Sequence, residues 1–324
     1  MNGSQPSVSV ITPTYNRAAL VGEAINSCLA QCSPAFAVDI VVVDDGSTDA
    51  TAAALREFHG RIRVIVLSAN QGRNRARNVG LSNATGRYVK FLDSDDVLAP
   101  GCLPLEVAAA EEAEADMVVA GWQTVEMDVK GRTVTIAQFD PPNMEPVIDS
   151  LLAGKAVPTG AALYATSLVR DLQWDETLRK LDDWDWFVRA ALRARKIIRT
   201  RTTSYSWRQH PTQGIRSETM LRNAREHHAI LKKLEDALIE RGEFTRERQK
   251  RLAQYYYKEM RVLSLYDKPG FEWGVRHIYQ LDSTFVPRDE EREWWMRVAC
   301  RFLGVRRALS MHSAAKKYIK GTGR

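Results

Sequence analysis

The chain predicts an α/β fold: a mostly parallel sheet with helices on both faces, followed by a helical C-terminal region. Three observations lead there. Short β-branched runs alternate with helical periodicity through the first half. Several of those runs stop at a turn rich in Pro, Asp or Gly. Beyond about residue 215 the strand patterns give way to helical spacing. A β-α-β-α order implies parallel pairing, with the helices covering the sheet.

Val8-Ser9-Val10-Ile11 is the first strand, stopped by Thr12-Pro13. Leu20, Ala24, Ile25, Cys28 and Leu29 then recur with helical spacing. Val38 to Val43 is the second strand, and Asp44-Asp45-Gly46-Ser47 ends it. Thr48 or Asp49 can cap an Ala-rich helix running to about Phe58. Ile62 to Leu67 is a third strand, Asn74 to Ala84 a helix, and Tyr88 to Leu92 a fourth strand. Helical residues Leu103 to Ala115 precede a strand at Met117 to Ala120. Thr133 to Gln138, Ala161 to Ala165 and Ile197 to Trp207 read as further strands, with a helix at Trp184 to Ala194. Helices follow over 217–241 and 245–266, then a less regular stretch to 324. Lys268-Pro269-Gly270 and Val286-Pro287-Arg288 mark breaks. The expected division is residues 1–215 and 216–324.

The bulk numbers exclude several classes. At 324 residues there is ample core for one large or two ordinary domains. A composition 44% hydrophobic and 27% charged is globular, not disordered. Cys28, Cys32, Cys102 and Cys300 show no CxxC pairing, so buried reduced thiols are expected. No secretory signal and no apolar run of about 20 residues is visible, which reads as cytoplasmic. The net charge of +6 is uneven: residues 216–324 hold 24 Lys and Arg against 15 Asp and Glu. That excess expects an anionic partner such as a membrane surface or an acidic acceptor. No nucleic-acid module accompanies it.

Phe91-Leu92-Asp93-Ser94-Asp95-Asp96 is the costliest stretch, with three carboxylates in four positions after an apolar strand. Alone it reads either as a helix cap or as a cation site for Mg²⁺ or Mn²⁺. Three other segments bear on it. Thr12-Pro13-Thr14-Tyr15-Asn16-Arg17 is a strand-to-helix turn with an aromatic and an Arg, suited to a base and its phosphates. It has no GxGxxG, against a dinucleotide dehydrogenase. Asp44 and Asp45 can accept a uracil imide or ribose hydroxyl. Asn70-Gln71-Gly72-Arg73-Asn74-Arg75-Ala76-Arg77-Asn78 is a polar, Arg-rich helix start. Strand ends in such sheets carry the ligand, so these segments meet at one rim.

Over residues 8–96 the strings VSVITPTYNR, IVVVDDGSTD, NQGRNRARNVG and YVKFLDSDD, in this order, closely resemble the donor-binding half of glycosyltransferase family 2. The resemblance implies a GT-A fold and an inverting, metal-dependent transfer of a hexose-type sugar from a nucleotide donor, a uridine diphosphate sugar. It implies donor contacts from Pro13, Thr14, Tyr15, Arg17, Asp44, Asp45, Asn70, Gly72, Arg77, Asp93 and Ser94. Asp95 becomes the main ligand of Mn²⁺ or Mg²⁺, with Asp93 nearer the ribose or the metal. Asp96 is left as a cap or spectator.

The resemblance continues through Trp174-Asp175-Glu176-Thr177-Leu178 and Leu181-Asp182-Asp183-Trp184-Asp185-Trp186. The family's general base falls on Asp183, and its usual Glu neighbour is Asp182 here, a shorter side chain. An inverting transfer needs one carboxylate to take the acceptor hydroxyl proton. The alternative for Asp183 is helix capping. Asp182 and Trp184 are acceptor-side residues by the same likeness; Trp184 or Trp186 would stack on a sugar and the other join the core. Trp207-Arg208-Gln209-His210 matches an aromatic-Arg-x-His string, placing His210 in the metal shell or on the diphosphate. Arg208 reads as a phosphate clamp or a surface charge.

The likeness does not reach residues 216–324. Trp294 to Leu303 interleaves apolar and basic residues. It reads equally as an interfacial membrane helix and as a sheet-covering helix with snorkelling Arg side chains. The expected acceptor is a glycan or lipid-linked hydroxyl, in cell-surface polysaccharide or glycolipid synthesis. Two competitors stand beside this reading. A nucleotidyltransferase would want a Gly-rich phosphate loop, which Thr12 to Arg17 lacks. A non-catalytic sugar-nucleotide-binding protein would have no need of Asp95 and Asp183.

Overall fold

The computed structural model describes residues 7–33, 36–127, 133–209, 217–287, 299–300 and 303–311. The chain divides into two compact units, Met1–Pro211 and Thr212–Arg324.

The first unit opens with β1 (Val8–Thr14), α1 (Val21–Leu29), β2 (Val38–Asp44), α2 (Thr51–Arg56), β3 (Arg63–Val66), α3 (Arg73–Ser82) and β4 (Tyr88–Phe91). These strands pair in parallel in the order β3-β2-β1-β4. Every residue of β1 and the Val41-Val42-Val43 run of β2 are buried, as expected of parallel strands covered on both faces. Helix α3 packs hard on β1. A Cβ at Gly80 would stand 2.3 Å from Ile11 Cγ2, so only glycine allows that approach.

Beyond β4 the pairing turns mixed. There follow β5 (Val97–Leu98), α4 (Cys102–Glu112), β6 (Met117–Met127), β7 (Thr133–Phe139), α5 (Val147–Leu151), β8 (Ala162–Ala165), α6 (Thr166–Val169), α7 (Asp182–Arg193) and β9 (Ile197–Arg208). Strand β8 lies antiparallel between β4 and β6, β9 runs parallel to β6, and β5 closes the edge against β9. Strand β6 runs on past Ala120, where the sequence pattern stops, through a register shift at Gly121. Its far half pairs with β7 on one side and β9 on the other. Ala50, not Thr48 or Asp49, is the N-cap of α2; the Asp49 carboxylate accepts instead from the Thr51 N–H at 2.9 Å. Cys28, Cys102 and Cys300 are buried free thiols, but Cys32 falls past the end of α1 and is exposed.

The second unit is built on α8 (Ser217–Glu240), α9 (Arg246–Tyr266) and α10 (Lys268–Leu281). Thr245 caps α9, and Asp267 caps α10 ahead of Pro269, so the Lys-Pro-Gly break is a helix start. Its core includes Leu231, Leu234, Leu238, Tyr256, Met260 and Ile278. Among the described residues no helix is long and apolar enough to cross a membrane. Most of Trp294 to Leu303 lies outside the described residues.

Candidate active site

Strands β2, β1 and β4 are adjacent and parallel, so their carboxyl ends open on one rim. A cleft of about 380 Å³ lies there. Pro13, Thr14, Tyr15, Arg17, Asp45, Asn70, Gly72, Asp93, Ser94 and Asp95 line it, with Arg73, Asn74, Leu178 and Arg179. Five segments separated by tens of residues thus line one cleft. Thr14 is buried, and its hydroxyl has no hydrogen-bond partner among the described residues.

The turns of the rim hold each other. Asn16 takes a left-handed φ of 52°, which an Asn tolerates, and its Oδ1 accepts from the Thr48 N–H at 2.8 Å. Arg17 N–H donates to Thr51 Oγ1 at 2.9 Å. Asp45 accepts from the N–H groups of Gln71 and Gly72, both at 2.8 Å, and so fixes the loop entering α3. Gly72 has φ 97°, and a Cβ there would stand 2.6 Å from Arg179 Nη1. Asp44 departs from the expected donor contact. It is buried, does not line the cleft, and accepts from the Ser47 N–H at 3.0 Å, closing the turn.

Arg77 also departs from it. It lies beneath the cleft, 1% exposed, and does not line it. Its guanidinium donates to Asp93 Oδ1 at 2.6 Å and to Asp182 Oδ2 at 2.9 Å, with Asp183 Oδ1 at 3.5 Å. It also stacks on Trp174 at 4.3 Å. Trp174 in turn stacks on Trp186 at 4.5 Å, with Phe91 edge-on to both. Aromatic pairs of this kind contribute about 0.5–1.5 kcal/mol each beyond their buried area. Burial opposes the Arg77 charge, yet Asp93, Asp183 and Asp182 outweigh it and raise its pKa.

Asp182 and Asp183 open α7 side by side but meet different surroundings. Asp182 is buried and gripped by Arg73 and Arg77. Burial would raise its pKa, but those hydrogen bonds and charges hold it below the usual carboxylate range. Asp183 has one oxygen, Oδ1, buried without a hydrogen-bond partner among the described residues, while the side chain as a whole is 40% exposed. Burial raises its pKa; Arg77 pulls it down, Asp182 and Asp93 push it up, and the outcome is upward. Adjacent carboxylates driven apart in this way suit separate acid–base roles. Capping does not account for Asp183, because the N-cap of α7 is Leu181.

Asp95 sits 3.5 Å from Arg17 Nε across the cleft mouth. Asp96 is buried and accepts from the Arg208 N–H at 2.9 Å, tying the acidic turn to the end of β9. Burial, then the charge of Asp93, pushes its pKa up to about 9 against that hydrogen bond. The Arg208 side chain pairs with Glu23 at 2.5 Å. Trp186 is core, and Trp184 is partly exposed outside the cleft lining. His210 lies outside the described residues.

The sequence reading missed Arg73 and Arg179 on the cleft wall and the meaning of the polar helix. Asn74 Nδ2 donates to the carbonyls of Asp175 and Leu178 at 2.9 and 3.1 Å. Asn78 takes both the N–H and the C=O of Trp174, at 2.7 and 3.0 Å. Helix α3 is polar on its buried face because it docks the 174–178 loop. Two Asn and an Arg at i, i+3, i+4 were the available signal.

The fold, a parallel sheet with a polar cleft at its strand ends, is of the GT-A type. Residues 9–170, half of the chain, match the model of Glycosyl transferase family 2, and the chain belongs to that family. It is similar to the succinoglycan biosynthesis protein ExoO of Rhizobium meliloti (strain 1021), 39% identical over 124 residues, 38% of this chain and 35% of that protein. It is also similar to the poly(ribitol-phosphate) beta-N-acetylglucosaminyltransferase TarS of Staphylococcus aureus, 31% identical over 195 residues, 58% of this chain and 33% of that one. The chain thus spans about a third of the length of these curated relatives. The crystal structure of S. aureus TarS 1–349 in complex with UDP-GlcNAc shares the fold, with a TM-score of 0.65 at 21% identity, over 97% of this chain and 92% of that one.

Proposed function

We propose that this chain transfers a sugar, with inversion, from a uridine diphosphate donor to a hydroxyl of a cell-surface polysaccharide or glycolipid acceptor. One observation carries the reading: Arg77 joins the donor-side carboxylate Asp93 to the base candidate Asp183 under a single cleft. The unpaired Thr14 hydroxyl and the cationic wall of Arg17, Arg73 and Arg179 support a polar, anionic ligand. The likeness to ExoO and TarS supports a surface polymer as acceptor.

The residues divide the work by position. Tyr15 offers a half-exposed aromatic face to a base. Arg17 and Arg179 supply charge to the diphosphate. Asp183, with its raised pKa, takes the acceptor hydroxyl proton as that oxygen attacks the anomeric carbon. Asp182 and Arg73 hold the start of α7 so that this carboxylate keeps its aim.

Asp93 and Asp95 fit a Mg²⁺ or Mn²⁺ ion. Both are hard oxygen donors lining the cleft. Among the described residues there is no cluster of three or more metal-ligating side chains, which suits an ion held largely by phosphates and water. Such an ion would neutralise the leaving diphosphate. The basic excess of residues 216–324 supports a peripheral contact with an anionic, cytoplasmic membrane face.

The test is release of UDP from a panel of uridine diphosphate sugars with Mn²⁺, Mg²⁺ or EDTA. Metal-dependent release and a product of inverted anomeric configuration by NMR are expected. Absence of release from every donor would overturn the reading, and EDTA-insensitive release would remove the metal from it.

A further inference from the structure

We propose that the outer sheet face formed by β7, β6 and β9 is an acceptor platform that binds a carbohydrate chain by aromatic stacking. The inference rests on the transfer reaction above and extends it to a site on the base side of the cleft.

Three strands deliver the residues in register. Trp122 on β6 pairs with Phe139 on β7 and with Tyr205 on β9. Partners in register share a face, so the rings form a row. Trp122 and Phe139 stack at 5.0 Å with planes 11° apart, and Phe139 is 41% exposed. Trp207, two residues along β9 and therefore on that face, is 46% exposed.

The row starts at the chemistry. Tyr205 is buried, in register with Leu98, two residues past Asp96 of the acidic turn. Its ring packs on Gly160, where a Cβ would stand 2.8 Å away. Beside it Leu98 pairs with Tyr205, and Arg208 N–H bonds Asp96, so β9 is fastened to the acidic turn. With strands about 4.8 Å apart, Phe139 lies about 10 Å from Tyr205 across the sheet.

A sugar ring is the occupant this chemistry fits. Its C–H face packs on an electron-rich ring while its hydroxyls stay in water. Clustered exposed aromatics otherwise cost solubility without return. An acceptor whose terminal hydroxyl reaches Asp183 must extend away from the donor pocket, and this row begins on the strand fastened to the acidic turn of the cleft.

The experiment uses the full chain on a printed array of bacterial capsular and cell-wall polysaccharides. Wild type is expected to capture at least one glycan, and Trp122→Ala and Phe139→Ser to capture it about tenfold less. Trp122→Phe keeps an aromatic face and is expected to retain capture. Donor hydrolysis in water is expected to be the same in all variants, which shows each is folded. Equal capture by wild type and the alanine and serine variants overturns the platform, as does a wild type that captures nothing. Variants that lose self-association by light scattering with capture unchanged would reassign the face to a chain–chain contact. Failure of hydrolysis in wild type would defeat the proposed reaction instead, because capture is read separately.

Discussion

Lys90 on β4 and Arg77 on α3 are both buried cations, and they are satisfied in different ways. Lys90 Nζ bonds Glu106 Oε2 and Ser204 Oγ, each at 2.6 Å, and that hydroxyl donates to Glu106 Oε1 at 2.5 Å. All three side chains are fully buried, and the ring of bonds closes on itself. Arg77 meets three carboxylates, but among the described residues its own Nε and Asp183 Oδ1 have no hydrogen-bond partner. A closed ring holds structure. An open one keeps a carboxylate poised, at a cost in stability.

The largest expected effect breaks the open centre. Asp183→Asn should lower the transfer kcat about 10²–10⁴-fold. Its melting temperature should hold or rise, since a destabilised carboxylate has gone. Full transfer by the folded variant would remove Asp183 from the base role. Lys90→Met tests the other side. It strands Glu106 in the core and should cost about 3–5 kcal/mol in urea unfolding, with transfer per folded molecule retained.

Arg77→Met sharpens the comparison through pH. The base works deprotonated, so transfer in wild type should fall as pH drops through the raised pKa of Asp183. Arg77 lowers that pKa, so its removal should shift the acid limb of kcat/KM to higher pH. An unmoved limb would show that the guanidinium positions without tuning. The smallest effect is expected when the closed ring is replaced whole. Lys90→Met with Glu106→Leu and Ser204→Ala should unfold within about 1 kcal/mol of wild type, or above it. A large loss would mean the ring does more than satisfy itself.

These centres also mark where the sequence could be read. Pro13, Asp45 and Asp93 to Asp95 were legible because each ends an apolar run, and parallel strands bring such ends to one rim. The closed ring was not. A Lys in a strand of alternating pattern reads as a solvated residue, and its partners lie 16 and 114 positions away. Arg77 misled for a related reason: a helix of Arg and Asn has the composition of a surface, and only the 174–178 loop makes it an interior. The antiparallel insertion of β8 beside β4 was equally hidden, since periodicity carries no strand order.

The dependence of α3 on residues 174–178 reaches into synthesis. While the ribosome has made only the first hundred residues, Asn74, Arg77 and Asn78 have no loop to receive them. Buried polar groups without partners cost about 1–3 kcal/mol each, so the parallel half cannot settle early. Its completion waits for a segment nearly a hundred residues downstream, a high-contact-order closure that slows folding. A truncation at residue 170, where the family match stops, would sever that closure and yield a fragment unable to finish its own interior.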